Sequence, residues 1–176
     1  MNETTLKRET FQLDSIIYAA LAEPNLSAPE LALVDLAKRW NSRLHLVHAV
    51  DPLTPAAWSP YFPNETMAQE HSRQMILADI ETAKSILESK CQQIKEKGIE
   101  VSFAVVEDSL VSGVEAEAHK VNAGLVATVS TIKDYGFFSR GLSSSYELLV
   151  NSKFPILVMS DKSKPEFSDA LNIMVA

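Results

Sequence analysis

The chain has 176 residues, 46% hydrophobic and 22% charged, so it is long enough for one α/β domain with a sizeable core. Its formal net charge of −7 argues against a nucleic-acid partner, because binding to a phosphate backbone needs clustered Lys and Arg. Cys91 is the only cysteine and no apolar run approaches the roughly 18 residues of a membrane span, so we expect a cytoplasmic protein without disulfides, a cysteine-based zinc site or a membrane partner.

A flexible polar arm, residues 1–12, precedes the first predicted strand, Ser15–Ala22. A helix is predicted over residues 28–41, because Ser27 and Glu30 have the spacing of a capping box and Pro29 is tolerated in a first turn. The apolar residues of this helix recur at helical spacing and predict one buried face: Leu33, Leu36 or Ala37, and Trp40.

The apolar run Leu44–Val50 predicts a second strand, and a proline-bearing loop with a long helix follows it. The loop, residues 51–64, carries three aromatic side chains that suggest either a lid or packing on the domain itself. Residues 65–97 have the pattern of one long helix, and Gly98 suits its C-terminal cap. Its predicted apolar face comprises Ile76, Ile80, Ala83, Leu87 and Ile94.

The third strand is predicted over residues 99–106, and Ser109 is expected to cap a helix that runs to Val121. After it comes a strand–loop–helix–strand pattern, composed of residues 124–129, 130–142, 143–151 and 155–159. Apolar runs without alternation are typical of strands that are buried on both faces of a parallel sheet. The repeated alternation of strand and helix therefore predicts a Rossmann-like α/β fold with a doubly wound parallel sheet.

We expect this α/β domain to span residues 13–160. The segment 161–176 has a different character, with a polar linker followed by a short apolar run, Leu171–Ala176, that has the pattern of a strand. This run is expected either to pair with another strand or to begin a second domain.

The loop and helix that follow the fourth predicted strand are where a parallel sheet of this kind holds phosphate. Ser143 and Ser144 open the helix, and their hydroxyl and backbone N–H groups could hold an anion together with Ser130. The simpler interpretation is that serine is a good helix cap. Metal binding has no support, because His45 and His48 point to opposite faces of one strand and no other ligand spacing is present.

Four segments resemble the universal stress protein family, and the resemblance covers residues 14–160. They are Leu44-His-Leu-Val-His-Ala-Val-Asp-Pro, Leu36-Ala-Lys-Arg-Trp, Val105-Val-Glu-Asp-Ser and Phe154-Pro-Ile-Leu-Val-Met. The resemblance implies five parallel strands in the order 3-2-1-4-5 and a protein that is usually dimeric. It also allows that this chain is the N-terminal half of a tandem protein whose second domain begins near residue 171.

The chain departs from the family pattern at the nucleotide site. ATP-binding members carry an Asp at the end of the first strand, where this chain has Leu21. They also carry Gly-x2-Gly-x9-Gly-[Ser/Thr] after the fourth strand, and at that spacing the chain has Val129, Ile132 and Leu142-Ser143. Because bulky side chains block close backbone approach, we expect a degenerate nucleotide site.

The resemblance implies a stress-response or regulatory protein that acts through a homodimer or a second domain of the same kind. No enzymatic activity is expected, since the chain has no nucleophile-elbow motif and no metal-ligand spacing, and no cofactor is expected. The alternative is a sensor of ATP, AMP or another anionic small molecule. In that case Ser130, Ser143 and Ser144 would hold the phosphates, Val50 would face the base, and Val129 would border the site.

Overall fold

The computed structural model describes residues 13–52, 65–130 and 144–160, and within them it contains one five-stranded parallel sheet. The order β3-β2-β1-β4-β5 confirms the predicted doubly wound arrangement. The strands are β1 (Ser15–Ala19), β2 (Arg43–Val50), β3 (Val101–Glu107), β4 (Leu125–Ser130) and β5 (Ile156–Ser160). The helices are α1 (Ala28–Trp40), α2 (Glu65–Glu96), α3 (Leu110–Lys120) and α4 (Ser144–Asn151).

Several predicted segments lie outside the described residues. They are the arm 1–12, residues 53–64 with their aromatic side chains, residues 131–143 between β4 and α4, and the extension 161–176. The domain limits and the lid therefore stay predictions. In the part of the chain that the structure covers, no helix combines the length and the apolar character that crossing a membrane requires.

The sheet has a hydrophobic core on each face, as a doubly wound topology demands. On one face, α1 and α2 pack against the strands through residues such as Leu36 and Leu87, both fully buried. On the other face, α3 and α4 pack through Val114 and Leu148. The central strands are covered on both sides, so β1 is buried along its whole length.

The capping residues predicted from the sequence lie at the observed ends of α1, α2 and α3. The capping box of α1 is formed, with the Ser27 backbone N–H donating to Glu30 Oε2 at 2.7 Å and the Glu30 N–H donating to Ser27 Oγ at 3.4 Å. Gly98, two residues after the end of α2, adopts φ +83, a left-handed conformation that glycine accepts without strain. Ser109 caps α3 by accepting a hydrogen bond from the Ser112 N–H.

Two sequence expectations were wrong in detail. Strand β1 ends at Ala19 and not at Ala22. The last hydrogen bond to β2 runs from the Ala20 N–H to the Val47 carbonyl. The chain then turns, with the Glu23 N–H donating to the Leu21 carbonyl. Trp40 was expected on the buried face of α1 but is 36% exposed. It is the last residue of the helix, and the face that packs on the sheet is carried by Leu33, Leu36 and Ala37.

Candidate functional site

A cavity of about 310 Å³ opens at the carboxyl ends of β1 and β2, against one side of α2. This edge is where open parallel sheets bind ligands, because loops and helix N-termini converge there. The described residues that line it come from three places in the chain: Ala22 after β1; His48, Ala49, Val50 and Asp51 around the end of β2; and Met75, Ile76, Asp79, Thr82 and Ala83 on α2.

The cavity combines an apolar surface with acidic side chains. Val50 and Ile76 are buried and give it an apolar wall. Asp51 and Asp79 contribute two carboxylates, and no Lys or Arg is among the described residues of its lining. Both aspartates are exposed, so the acidic character of the described lining lies on its solvent side.

His48 is held in a fixed orientation at this cavity. Its Nδ1 lies 2.9 Å from the Ala20 carbonyl oxygen, so Nδ1 carries the proton that forms this hydrogen bond. The bond ties the end of β2 to the residue that follows β1. His48 therefore has a structural, hydrogen-bonded role at the carboxyl end of β2.

A buried lysine side chain holds the backbone that follows the first strand. Lys90 of α2 donates from Nζ to the Leu21 carbonyl at 3.1 Å and to Glu30 Oε1 at 2.6 Å. Both members of the ion pair are buried, Lys90 at 1% exposure and Glu30 at 3%. Leu21, which stands where ATP-binding relatives are expected to carry Asp, has its side chain exposed. The local backbone is thus held without any ligand.

The sequence analysis identified Glu30 only as a capping residue and missed its partner. A signal was nonetheless present. Lys90 shares one helical face with Leu87, Cys91 and Ile94, so its stem had to enter the core and its charge had to meet a partner there. Periodicity places Lys90 on the buried face of α2, but its partner, 60 residues earlier, is defined only by the tertiary fold.

The predicted nucleotide-site residues are only partly brought together. Val50 lines the cavity, and its predicted contact with a base stays a prediction. Val129, half-buried near the end of β4, packs against the core on the α1–α2 face and is not among the described residues of the cavity lining. Ser130 is the last residue of β4 and Ser144 the first of α4, which places both at the expected loop boundaries. Ser143, Ile132 and Leu142 lie outside the described residues.

A second polar cluster lies on the opposite face of the sheet, under α3. His45 points to this face, as its odd spacing from His48 predicted, and its Nδ1 lies 2.7 Å from Ser102 Oγ. Its Nε2 lies 3.3 Å from Glu117 Oε2. Burial lowers the pKa of His45, and the nearby Glu117 carboxylate opposes that shift only in part. The sequence analysis did not foresee this cluster.

Metal binding finds no support in the described residues, which contain no group of three or more His, Cys, Asp or Glu side chains that could hold an ion. His71 and His119 are exposed on α2 and α3. Glu115 and Glu117, two residues apart on α3, serve different partners: Glu115 accepts from the Lys153 N–H, whereas Glu117 faces His45.

The model of the universal stress protein family matches residues 23–159, which is most of the chain. The fold is also similar to solved structures. The universal stress protein UspA from Lactobacillus plantarum has a TM-score of 0.64 and 12% identity, with 85% of this chain and 99% of that chain covered. A universal stress protein in complex with cAMP has a TM-score of 0.51 and 14% identity, with 86% and 99% covered.

A universal stress protein from Archaeoglobus fulgidus has a TM-score of 0.50 and 17% identity over 85% of this chain. The matched part is only 44% of that longer chain. These identities are too low to compare ligands, so the likeness to each structure concerns the fold. Among curated proteins, none has a sequence that matches this chain.

Proposed function

This chain belongs to the universal stress protein family, and we propose that it is a non-enzymatic regulatory protein of a stress response that acts as a homodimer. In this proposal its nucleotide site is degenerate and ATP is not its ligand. The observation that carries the proposal is an apolar edge formed by α4 and β5, and the acidic cavity supports the part that concerns ATP.

The apolar edge consists of side chains on α4 and β5 that the fold leaves exposed. On α4, Leu149 and Val150 are 51% and 60% exposed, and on β5 Val158 is 40% exposed. In the described part of the chain, β5 is an edge strand with no partner on its outer side. An edge strand offers a row of backbone donors and acceptors, and apolar residues beside it favour association with another surface. A second copy of this chain provides the complementary edge, since a two-fold axis pairs one surface with itself.

The oligomeric state tests this proposal directly. Size-exclusion chromatography with light scattering should give twice the 19.4 kDa of one chain for the wild type. Val150→Glu should shift the protein to single chains, because it places a charge in the interface. Leu77→Glu is the matched control, since Leu77 is 52% exposed on α2, on the other face of the sheet, and this variant should remain dimeric. A wild type of single-chain mass at high concentration would refute the dimer.

The loss of ATP binding is supported by three features of the site. Asp51 and Asp79 line the cavity, Leu21 occupies the position of the expected Asp, and Val129 occupies the position of the first expected glycine. A triphosphate brings several negative charges and needs close backbone N–H groups, whereas this cavity offers carboxylates.

An adenine-nucleotide sensor is the second candidate, and the cavity itself favours it. Its apolar wall at Val50 and Ile76 suits a flat base, and one structural neighbour is a complex with cAMP, which carries less charge than ATP. Binding at a concentration 100 times the Kd would stabilise the protein by about 2.7 kcal/mol. For a domain of this size that raises Tm by roughly 5–11 °C.

Thermal shift with ATP, AMP and cAMP separates the two candidates. We expect ATP to leave Tm unchanged within about 1 °C, as the regulatory function without nucleotide requires. A rise with cAMP or AMP that Ala22→Phe abolishes would establish the sensor, because Ala22 lines the cavity and a phenyl ring would fill it. Ala116→Phe is the control, since Ala116 is exposed on α3 and should keep any shift.

A further inference from the structure

A serine, a histidine and a glutamate form one chain of contacts from β3 through β2 to α3. Ser102 Oγ lies 2.7 Å from His45 Nδ1, and Glu117 Oε2 lies 3.3 Å from His45 Nε2. His45 and Glu117 are each 6% exposed, whereas Ser102 is exposed to solvent. The proposed function uses none of these groups, since none lines the nucleotide cavity or belongs to α4 or β5.

The Glu117 carboxylate decides which nitrogen of His45 carries the proton. A neutral imidazole has one N–H group and one lone pair. A lone pair on Nε2 would face Glu117 Oε2 at 3.3 Å and be repelled by it, so the proton belongs on Nε2. Nδ1 is then the acceptor, and the Ser102 hydroxyl donates the hydrogen bond of 2.7 Å. His45 is therefore placed to take the proton of Ser102 Oγ, as a general base does.

Glu117 orients this base and stabilises the charge that the base acquires. At rest Nε2 of His45 is buried and makes no aligned hydrogen bond, although Glu117 Oε2 lies at 3.3 Å. When Nδ1 takes up the serine proton, the ring becomes positive and the neighbouring carboxylate stabilises it. Burial keeps the ring neutral before this step, because it lowers the pKa of His45. Lys120 pairs with Glu117 from the surface, and Ile17, the neighbour on β1, brings no charge.

The serine stands at an open edge of the sheet. Strand β3 is the last strand on its side, and in the described part of the chain nothing pairs with its outer edge. The Leu44 N–H of β2 donates to the Glu100 carbonyl at 3.0 Å, which fixes the alternation of this parallel ladder. The backbone groups of Ser102 therefore face β2, and the N–H of Phe103 points outward. An outward N–H beside the serine can donate to the oxygen of a carbonyl group under attack.

A cavity of about 670 Å³ lies along the same edge. Its described lining includes Ser102 and the apolar residues Cys91, Val101 and Phe103. Because side chains alternate along a strand, Val101 and Phe103 lie on the face toward α2, and the cavity meets Ser102 at the edge itself. An uncharged acyl chain suits this apolar surface.

We propose that Ser102 is a covalent modification site, a serine activated by His45 that accepts an acyl group from an ester or a thioester. In this step Ser102 Oγ bonds to the carbonyl carbon, and the bond from that carbon to the leaving oxygen or sulfur breaks. The Oγ proton passes to His45 Nδ1 and then to the leaving atom. The product is acylated Ser102. This inference goes beyond the proposed function and depends on neither the dimer nor the nucleotide site.

Acetylation by p-nitrophenyl acetate tests the wild-type chain without any change to the fold. Peptide mapping by mass spectrometry should find Ser102 acetylated at least about 100-fold faster than Ser112, an exposed serine on α3, since a general base contributes about 10²–10⁴. Between pH 7.5 and pH 9 the rate at Ser102 should stay nearly constant, because His45 is already neutral. The rate at Ser112 should rise about tenfold per pH unit, since an ordinary hydroxyl loses its proton to solvent. Equal rates at the two serines would overturn the proposal.

Removal of the base should slow this reaction. His45→Gln keeps a polar group at the site, and it should lower the rate of Ser102 acetylation by about 100-fold. His71→Gln is the matched control, because His71 is exposed on α2, and its rate should equal that of the wild type. An unchanged rate at Ser102 in a His45→Gln protein with the circular dichroism of the wild type would refute the role of His45.

The amount of p-nitrophenolate released separates this inference from the proposed function. Ser102→Ala should fold, since Ser102 is exposed, and should abolish the acetylation and the release that accompanies it. For a modification site the release should not exceed one equivalent per chain. Further release that Ser102→Ala abolishes would still support the activated serine, and would instead overturn the non-enzymatic part of the proposed function.

Glu117→Gln tests the positioning role of the carboxylate. Its amide can present an N–H to Nε2, which favours the proton on Nδ1 of His45 and so removes the base from Ser102. The rate at Ser102 should fall by at least about tenfold and should regain the rise with pH of an ordinary serine. Glu115→Gln is the control, since Glu115 on the same helix accepts from the Lys153 N–H and should change neither rate nor pH dependence. A Glu117→Gln protein with the wild-type rate and its constant pH profile would contradict the assigned tautomer.

Discussion

Replacing Lys90 with methionine is the most informative single change in the α1–α2 layer. Lys90 Nζ donates to Glu30 Oε1 at 2.6 Å and to the Leu21 carbonyl at 3.1 Å, in a site where both charged residues are buried. Methionine retains much of the aliphatic stem and removes the charge. The substitution therefore leaves Glu30 as a buried carboxylate whose remaining partner is the Ser27 N–H.

The expected cost follows from the loss of one partner of a buried pair, about 3–5 kcal/mol. This is a large share of the roughly 5–15 kcal/mol that stabilise a typical domain. At about 2–4 °C per kcal/mol for a chain of this size, Tm should decrease by roughly 6–20 °C. Most of the cost arises from the uncompensated Glu30 carboxylate, so the double variant Lys90→Met/Glu30→Leu should recover a substantial part of it.

Urea denaturation followed by circular dichroism would measure these changes for the single and double variants. Lys84→Met is the control, because Lys84 is exposed on the same helix and should change stability by less than about 0.5 kcal/mol. A cost below about 1 kcal/mol for Lys90→Met, or a double variant that is less stable than either single one, would refute the argument from burial.

One substitution and one reactivity measurement test the packing on the two sides of the sheet. In Gly113→Ala, the new Cβ would lie 2.5 Å from Val106 Cγ2. Overpacking should outweigh the gain in helix propensity, so urea denaturation should show a loss of about 1–2 kcal/mol in the free energy of unfolding. Ser112→Ala, at the exposed neighbouring position, is the control and should not be destabilised in this way. Burial raises the pKa of the Cys91 thiol to about 11. At pH 8 the folded protein should therefore react with a disulfide reagent about 100-fold more slowly than the urea-unfolded chain. Equal reaction rates would contradict the burial of Cys91.

The fold was predictable because its signals are local. Unbroken apolar runs such as Leu44–Val50 identified strands that are buried on both faces, and the Ser27–Glu30 capping box placed the start of α1 correctly. The alternation of these elements then left few topologies to consider. The end of β1 was placed too late, because a run of small apolar residues continues past Ala19 although the chain has already turned.

The polar clusters could not be predicted, because their partners are distant in sequence. His45 meets Ser102 and Glu117 only when three strands and a helix are assembled. Val50 lines the cavity, but its contact with a nucleotide base stays a prediction, and the family pattern does not describe the acidic side chain that α2 contributes, Asp79. The position of Asp79 depends on how one long helix lies across the sheet ends, which periodicity alone does not specify.

The buried lysine also fixes the backbone that follows the first strand. In a site that depends on its ligand, the loop after the first strand would gain order from the bound molecule. Here the Lys90 ammonium holds the Leu21 carbonyl and His48 holds the Ala20 carbonyl, so two internal donors fix the same stretch of backbone. Because both donors belong to the chain itself, the order of this stretch of backbone does not require a bound molecule.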